Sequence, residues 1–230
     1  MIEEILPSSV AAAEEFGDRP EAVLFPEEEA VVARAVERRR RSFATARACA
    51  RQALAELGVP PSPILPGPKG APQWPAGIAG SITHCNGYRA CAVAWTHEVA
   101  ALGIDAEPDE ALPRGVLRRI ARPGETRRLS DLAAVDSTVC WERLLFCAKE
   151  SVYKAWFPLT GRWLGFGDAA VTIDPRAGTF GAQLLVPGPV VGGARLAGFA
   201  GRWLARGGLV ATAVAVSATQ TPHTETPHAT

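Results

Sequence analysis

The spacing of apolar side chains along the chain predicts two long helices. The first is predicted over residues 26–57: Pro26 precedes three glutamates that face the positive end of a helix dipole, and Gly58 follows its last residue. The second is predicted over residues 137–156, where apolar side chains recur every 3.6 residues until Pro158 ends the pattern. Both segments are long enough to pack against a sheet.

Short apolar runs separated by turn residues predict strands on both sides of the second helix. The predicted strands cover residues 80–83, 88–95, 99–106, 169–173, 181–185, 195–206 and 209–216. The pattern therefore predicts an α+β protein, in which each half combines a helix with an antiparallel sheet. We expect a first half over residues 1–103, a second half over 104–216 with a hinge near Gly103, and a disordered polar tail over 217–230.

Composition narrows the classes of protein to consider. Hydrophobic residues make up 47% and charged residues 21% of the chain, which is typical of a globular protein. The 24 basic and 24 acidic residues cancel, so nonspecific nucleic-acid binding is not expected. The sequence contains neither a long apolar run nor a leader-like N-terminus, and its five cysteines form no C-x-x-C pair. We expect a cytoplasmic protein without a membrane span.

Two carboxylates stand at the end of the apolar run over residues 99–106. Asp105 and Glu107 are two positions apart, so on a strand they point to the same face. Carboxylates held that close repel each other unless a cation lies between them, and Mg²⁺ prefers such oxygen ligands beside substrate phosphates. A pair of solvated acids at a strand end is the alternative, and this motif alone does not decide between them.

The second predicted helix carries two of the three lysines in the chain. Glu150 and Lys154 are four residues apart and share a helix face, and Lys149 lies one step round from them. An acid flanked by two ammonium groups suits a place where a metal ion, a phosphate and a nucleophilic hydroxyl meet. The alternative is an ordinary pair of surface charges, although the surrounding helix is apolar and aromatic.

Further candidate phosphate contacts lie in the first half. The hydroxyls of Ser81 and Thr83 and the imidazole of His84 stand near the end of a predicted strand, and arginines recur along the first helix at 38–41, 47 and 51. Guanidinium groups bind phosphate in a bidentate manner, although a lone histidine is more often structural and an arginine run is often a solvated face. No glycine-rich phosphate loop is present, so side chains would have to hold any phosphate.

In this order and spacing the motifs resemble the Sfp-type 4′-phosphopantetheinyl transferases. The similarity is carried by residues 69–85, by Gly103-Ile104-Asp105-Ala106-Glu107 and by the stretch from Trp141 to Lys154. It is closest to actinobacterial members that serve fatty-acid, polyketide, nonribosomal-peptide and siderophore synthesis. The resemblance implies a pseudo-dimer of two similar α+β halves with coenzyme A in the cleft between them.

The resemblance also implies roles for individual residues. Asp105, Glu107 and Glu150 would hold Mg²⁺. Glu150, Lys149 and Lys154 would be catalytic, with Glu150 as the base, either directly or through a metal-bound water, and Glu142 as a second choice. The implied contacts to coenzyme A are Arg39, Arg47, Lys69, Gly70, Pro72, Ser81, Thr83, His84, Asp105, Lys149 and Lys154.

The implied reaction moves phosphopantetheine from coenzyme A to a serine of an apo acyl, peptidyl or aryl carrier protein and releases 3′,5′-ADP. A monomer suits an internally duplicated fold. For docking of the carrier, we expect at least one of Phe157, Trp163 and Leu164 to be exposed near the cleft. Two other readings remain open: a different Mg-dependent phosphoryl transferase, and a regulatory domain that binds coenzyme A without turnover.

Overall fold

A computed structural model describes residues 1–219 of the 230-residue chain. The helices are α1 (Pro26–Val32), α2 (Glu37–Glu56), α3 (Leu117–Ile120), α4 (Pro123–Val135) and α5 (Trp141–Thr160). The strands are β1 (Ala11–Phe16), β2 (Ile78–Cys85), β3 (Tyr88–Trp95), β4 (Val99–Pro108), β5 (Ala169–Asp174), β6 (Thr179–Leu184), β7 (Val190–Val191), β8 (Ala194–Arg195), β9 (Gly198–Arg206) and β10 (Leu209–Ser217).

Two antiparallel sheets organise the molecule, and each carries one 20-residue helix. The first sheet has the order β1-β3-β2 and packs against α2, and the second has the order β4-β10-β9-β6-β5 and packs against α5. Strands β2 and β4 lie side by side where the sheets meet, without a backbone ladder between them. The predicted α+β architecture, with a helix and an antiparallel sheet in each half, is therefore confirmed.

Strand β4 shows why the candidate acids face α5. Along it, Leu102, Ile104 and Ala106 are buried in a core between the two sheets, whereas Ala101 is buried in the core under α5. Successive side chains on a strand alternate between faces. Asp105 and Glu107 therefore point to the α5 side.

The first predicted helix is wrong in one respect, because residues 33–36 interrupt it. Helix α1 ends at Val32, and Val36, which has an extended backbone conformation, precedes α2. The break brings the fully buried Glu28 of α1 against Arg51 of α2. Neither glycine nor proline stands at the break, so no local signal marks it.

The second predicted helix is displaced by about one turn. It begins at Trp141 and passes through Pro158, and it ends at Gly161, whose φ of 63° is left-handed. The amide of Gly161 donates to the Phe157 carbonyl at 2.8 Å and closes the last turn. Proline removes one helix hydrogen bond but does not stop a helix that is already packed along its length.

Strand β1 and helix α4 are among the elements that arise where the pattern predicted neither a helix nor a strand. Strand β1 pairs with β3 over six residues, and α4 begins at Pro123, where the Glu125 carboxylate accepts a hydrogen bond from the Arg122 amide at 2.7 Å.

Gly103, the predicted hinge, lies inside β4, and this strand belongs as a whole to the second sheet. Ser217 ends β10, and residues 220–230 of the predicted tail lie outside the described residues. Among the described helices, none is long and apolar enough to cross a membrane.

Candidate active site

A cavity of about 570 Å³ opens between the two halves of the molecule. Helices α1 and α2 and the loop before β2 form one wall, β2 contributes the floor, and α5 forms the opposite wall. Nine of the predicted site residues line it: Arg39, Arg47, Lys69, Gly70, Pro72, Ser81, His84, Glu150 and Lys154. The cavity therefore receives basic side chains from both halves.

Asp105 lies just behind this wall and is 5% exposed. Its Oδ1 accepts hydrogen bonds from Lys154 Nζ at 2.7 Å and from Thr83 Oγ1 at 3.1 Å. Its Oδ2 is buried and has no hydrogen-bond partner among the described residues. A buried carboxylate oxygen without a partner is costly, so this oxygen is suited to an incoming cation.

The contact between Lys154 and Asp105 depends on a close approach of α5 to β4. A Cβ atom added to Gly103 would lie 1.9 Å from the Ser151 carbonyl oxygen and 2.8 Å from the Ala155 amide nitrogen. The helix backbone therefore rests directly on this glycine. Lys154 then reaches back to the strand, where its Nζ also donates to the Ile104 carbonyl at 3.0 Å.

Glu107 and Glu150 share the electrostatic environment of Asp105. Burial raises the pKa of both carboxyls, and the negative charge of Asp105 raises the pKa of each further. Lys154 acts in the opposite direction on both pKa values, and Arg143 also lowers the pKa of Glu107. Three carboxylates thus converge on a region where the protein's own cations neutralise them only partly.

These acids are suited to a divalent cation, although they are not assembled as a ready-made cage. Among residues 1–219, no group of three or more His, Cys, Asp or Glu side chains is close enough to bind a metal ion by itself. Mg²⁺ commonly uses one or two carboxylates together with water and substrate phosphate oxygens. The unpartnered Oδ2 of Asp105 and the hard oxygen donors around it fit that mode of binding.

His84 and Arg39 form a pair on the cavity wall. Arg39 Nη1 lies 3.0 Å from His84 Nε2. Desolvation by the surrounding protein, together with the cations Arg39, Lys154 and Arg89, lowers the pKa of His84 to about 4. Because a guanidinium only donates, the neutral ring accepts through Nε2 and carries its proton on Nδ1. The pair presents positive charge and donors to the cavity.

Arg47 is buried, and contacts on the side away from the cavity fix its side chain. Its Nε donates to the Ile64 carbonyl at 2.7 Å, and its guanidinium lies 4.1 Å from the centre of the Phe43 ring. Burial lowers its pKa to about 10, while Glu28, 3.8 Å from Nε, opposes that shift. The rest of the guanidinium faces the cavity that Arg47 lines.

The loop that carries Lys69 is fixed by its own backbone. Gly67 donates to the Ala71 carbonyl at 2.7 Å, and Pro66 and Pro72 form an isolated β-bridge. Lys69 has a φ of 57°, which is uncommon for a residue with a side chain. The loop holds this strained conformation and directs an exposed ammonium toward the cavity.

The hydroxyls of Ser81 and Thr83, which were predicted as phosphate donors, join the two sheets. Ser81 Oγ accepts from the Ile104 amide at 3.0 Å, and Thr83 Oγ1 accepts from the Ala106 amide at 3.0 Å. They replace the missing ladder between β2 and β4. Thr83 uses its only proton on Asp105, whereas Ser81 still lines the cavity.

Lys149 does not join the other predicted catalytic residues. Its Nζ donates to Glu125 Oε2 at 2.9 Å and to the carbonyls of Phe166 at 2.7 Å and Ala169 at 3.2 Å. Glu125 also accepts from the Val171 amide at 2.7 Å. All three ammonium protons are therefore used inside the second half, where they connect α4, α5 and the start of β5. Lys149 is not among the residues that line the larger cavity, and its predicted catalytic role and contact with coenzyme A stay predictions.

Aromatic residues continue the site beyond Glu150. Tyr153 packs against Phe157 and Trp163, with ring centres 5.9 and 4.9 Å apart, and its hydroxyl is buried without a partner among the described residues. Tyr153 and Glu150 also line a second cavity of about 70 Å³, beside Trp163, Leu164 and Phe166. Trp163 is 66% exposed, whereas Leu164 is buried. The expectation of an exposed aromatic near the cleft is therefore confirmed for Trp163.

Two family models divide the chain between them. Residues 27–94 match the 4′-phosphopantetheinyl transferase N-terminal domain, and residues 101–187 match the 4′-phosphopantetheinyl transferase superfamily. The chain belongs to the 4′-phosphopantetheinyl transferase family. It is therefore an enzyme that transfers phosphopantetheine from coenzyme A to carrier proteins, as its sequence motifs predicted.

Three actinobacterial relatives cover almost all of this transferase. It is 57% identical over 221 residues to the 4′-phosphopantetheinyl transferase Svp of Streptomyces mobaraensis, which covers 95% of this chain and 90% of that protein. It is 50% identical over 223 residues to Npt of Nocardia iowensis, with 94% and 99% covered. It is 46% identical over 222 residues to PptT of Mycobacterium tuberculosis, with 93% and 97% covered.

Sequence reasoning missed three residues that shape the site of the transferase. Glu28 supports Arg47 from a buried position, Arg143 binds Glu107, and the hydroxyl of Tyr153 points into a buried space. Tyr153 could have been found, because it lies between Glu150 and Lys154 on the same helix. Glu28 and Arg143 act across elements far apart in the sequence, and no local pattern marks such contacts.

Proposed function

We propose that coenzyme A binds in the cavity between the halves, with its pyrophosphate beside Asp105, Glu150 and Lys154. The observation that supports this most is the convergence of both halves on one point. Lys154 lines the cavity and binds the buried Asp105 at 2.7 Å, while Glu150 lies one turn away on α5. A basic cavity that ends at carboxylates, one of which keeps a buried oxygen without a partner, suits a metal-bridged pyrophosphate.

We infer that the first half, residues 1–103, binds the nucleotide side of coenzyme A. Arg39, Arg47, Lys69 and His84 are cationic or donate from the cavity wall, and phosphate oxygens accept such bonds well. The rigid Lys69 loop, with Gly70 and Pro72, supplies backbone shape at the same wall. The second half, residues 104–216, then supplies the acids and Lys154.

We infer that Asp105, Glu107 and Glu150 together bind Mg²⁺ against the pyrophosphate. The bound ion would neutralise charge on the phosphate oxygens during transfer. The unpartnered Oδ2 of Asp105 supports this assignment more than any other atom of the site.

The transfer step then follows from the positions of the protein groups. The carrier serine oxygen forms a bond to the β-phosphorus of coenzyme A, the bond from that phosphorus to the bridging oxygen breaks, and 3′,5′-ADP leaves with the electron pair. Glu150 accepts the serine proton. Lys154 donates to phosphate oxygens as negative charge develops on them. Lys149 takes no part, because its three protons are bonded elsewhere.

The pantetheine arm must leave the pyrophosphate on the side opposite the nucleotide. Glu150 also lines the smaller cavity, together with Tyr153, Trp163 and Leu164. We infer that the arm runs along this largely apolar surface. The free hydroxyl of Tyr153 is suited to one of the amide groups of the arm.

The oligomeric state, the compartment and the carrier partners are inferred together with this function. We infer a monomer that acts in the cytoplasm on acyl, peptidyl or aryl carrier domains of fatty-acid, polyketide, nonribosomal-peptide or siderophore assembly. The five cysteines are all free thiols, which fits a reducing compartment. The two halves already enclose the cavity within one chain, so no second copy is required to complete it.

The proposal is tested by incubating the protein with coenzyme A, Mg²⁺ and an apo carrier protein. Intact mass should show the carrier gaining one phosphopantetheine, and 3′,5′-ADP should appear in equal amount. Removing Mg²⁺ with a chelator should stop both changes. Free phosphopantetheine with an unmodified carrier would instead indicate a hydrolase, and tight binding of coenzyme A without any product would indicate a regulatory domain.

A further inference from the structure

Arg143 connects α5 to the end of β4 through all three nitrogens of its guanidinium group. Its Nη1 donates to Glu107 Oε2 at 3.1 Å, its Nε donates to the Glu110 carbonyl at 3.0 Å, and its Nη2 donates to the Ala111 carbonyl at 2.9 Å. The side chain is only 14% exposed. One arginine therefore fixes both a carboxylate and the loop that follows it.

The position of Arg143 on α5 relates this contact to the rest of the site. Arg143 and Glu150 are seven residues apart, which is about two turns, so both lie on one face of the helix. Glu107 stands on β4 two residues after Asp105. Arg143 thus sets the position of the outermost acid relative to the helix that carries Glu150.

The contact leaves one oxygen of Glu107 free. Among residues 1–219, no hydrogen bond reaches Glu107 Oε1, whereas Oε2 is bound by Arg143. A carboxylate held through one oxygen keeps its rotamer and can offer the other oxygen to a ligand. Groups that hold a metal ligand in this way commonly change metal affinity or activity about 10- to 100-fold when they are lost.

We propose that Arg143 is a positioning residue, which orients Glu107 so that its Oε1 faces the cation shared with Asp105 and Glu150. The inference rests on the proposed metal site. It assigns Arg143 no contact with substrate, and its effect is exerted through the Glu107 carboxylate and the Glu110–Ala111 backbone.

The test measures metal binding directly, with Mn²⁺ as the probe and electron paramagnetic resonance or calorimetry as the readout, in the presence of coenzyme A but without carrier. Arg143→Met removes all three hydrogen bonds, and Arg143→Lys keeps the charge but cannot supply the three-way contact. Arg195→Met is the matched control, because Arg195 Nη1 donates at 2.7 Å only to the Gly188 carbonyl, on a loop beside β8.

We expect Arg143→Met to weaken Mn²⁺ binding by about tenfold or more, with the Mg²⁺ concentration for half-maximal transfer rising by a similar factor. Arg143→Lys should fall in between, and Arg195→Met should match the unmodified protein. Unchanged Mn²⁺ affinity in a folded Arg143→Met variant would overturn the inference. Tighter binding would also overturn it, since it would show that Arg143 acts only as a repelling charge.

A further variant separates this inference from the proposed function. Asp105→Asn should abolish Mn²⁺ binding at the site. If it does so while Arg143→Met binds normally, the metal site stands and the role of Arg143 is wrong. If Asp105→Asn binds Mn²⁺ as the unmodified protein does, the proposed metal site fails and the role of Arg143 fails with it.

Discussion

At the scale of single residues, the two lysines of α5 have opposite environments. Lys154 lines the cavity and binds Asp105, whereas Lys149 binds Glu125 and two carbonyls inside the second half. Five residues along a helix correspond to a rotation of about 140°, so the two side chains cannot share one face. The sequence predicted correctly that the motif lies on a helix, but it could not tell which lysine the neighbouring elements would enclose.

We therefore predict that Lys149→Met lowers stability much more than catalysis. The change leaves the buried Glu125 carboxylate without its cation, and breaking a buried pair in this way costs about 3–5 kcal/mol. The free energy of unfolding in urea should fall by that amount. The rate constant for transfer per folded molecule, measured below the unfolding transition, should stay within about threefold of the original. A Lys149→Met variant that keeps its stability but loses transfer activity would contradict this prediction and would indicate that Lys149 is catalytic.

His84 provides a prediction on pH. Its pKa in the folded protein is lowered to about 4 by burial first and by neighbouring cations second, against an ordinary value of 6.5. Between these values the unfolded chain binds the proton and the folded protein does not, so the contribution of His84 to stability is present above pH 6.5 and is lost as pH falls toward 4.

Chemical denaturation at pH 7 and pH 5 checks this prediction. The free energy of unfolding should fall less over that interval in His84→Gln than in the unmodified protein. Coenzyme A should reduce this difference in pH dependence between the two proteins, because a phosphate next to the His84 ring raises the pKa of the imidazole. Identical pH dependence in both proteins would contradict the assignment of a lowered pKa to His84.

At the scale of elements, the approach of α5 to β4 decides whether the site forms. Gly103→Ala would place a methyl group 1.9 Å from the Ser151 carbonyl, so the helix would have to move away from the strand. We expect a loss of stability of at least about 1–3 kcal/mol and a much lower rate of transfer, because Lys154 and Asp105 would separate. Gly181→Ala on β6 is the control, since no atom lies within 4 Å of its added Cβ. Equal activity of the two variants would contradict this account.

The elements themselves differ in how far the sequence determined them. Helix α5 was predicted from its 3.6-residue apolar period, and strands β3 and β4 were predicted because each is a continuous apolar run between turn residues. Strand β1 was missed because five of its six residues, Ala11–Phe16, are alanine or glutamate, and it is stabilised by pairing with β3. The break between α1 and α2 was missed because it depends on the burial of Glu28 against α2, which is a contact between elements.

At the scale of the whole molecule, the site exists only where the two halves meet. The sequence identified the motifs as candidate chemistry, but their convergence depends on α5 resting on β4 and on the hydroxyl contacts of Ser81 and Thr83 between β2 and β4. No local pattern contains such distances. The same is true of Arg143, whose contacts span more than thirty residues of sequence.

The surface beside the cavity gives a prediction about the carrier protein. Trp163 is 66% exposed and packs on Tyr153, which lines both cavities. An exposed aromatic side chain at that position is a good anchor for a protein partner. Trp163→Ala should therefore raise the dissociation constant for the carrier about tenfold or more in calorimetry, while the affinity for coenzyme A changes little. Unchanged affinity for the carrier would exclude Trp163 as an anchor.

The central claim is that transfer depends on the buried carboxylate of Asp105 where the halves meet. It is tested most directly by the rate at which Asp105→Asn modifies an apo carrier, followed by intact mass at saturating coenzyme A and Mg²⁺. The variant preserves the size and one oxygen of the side chain, and circular dichroism should show that it is folded. We predict a rate lower by on the order of 100-fold or more, since a metal ligand contributes several kcal/mol to such a step. A folded Asp105→Asn protein that modifies the carrier at the original rate would contradict the account.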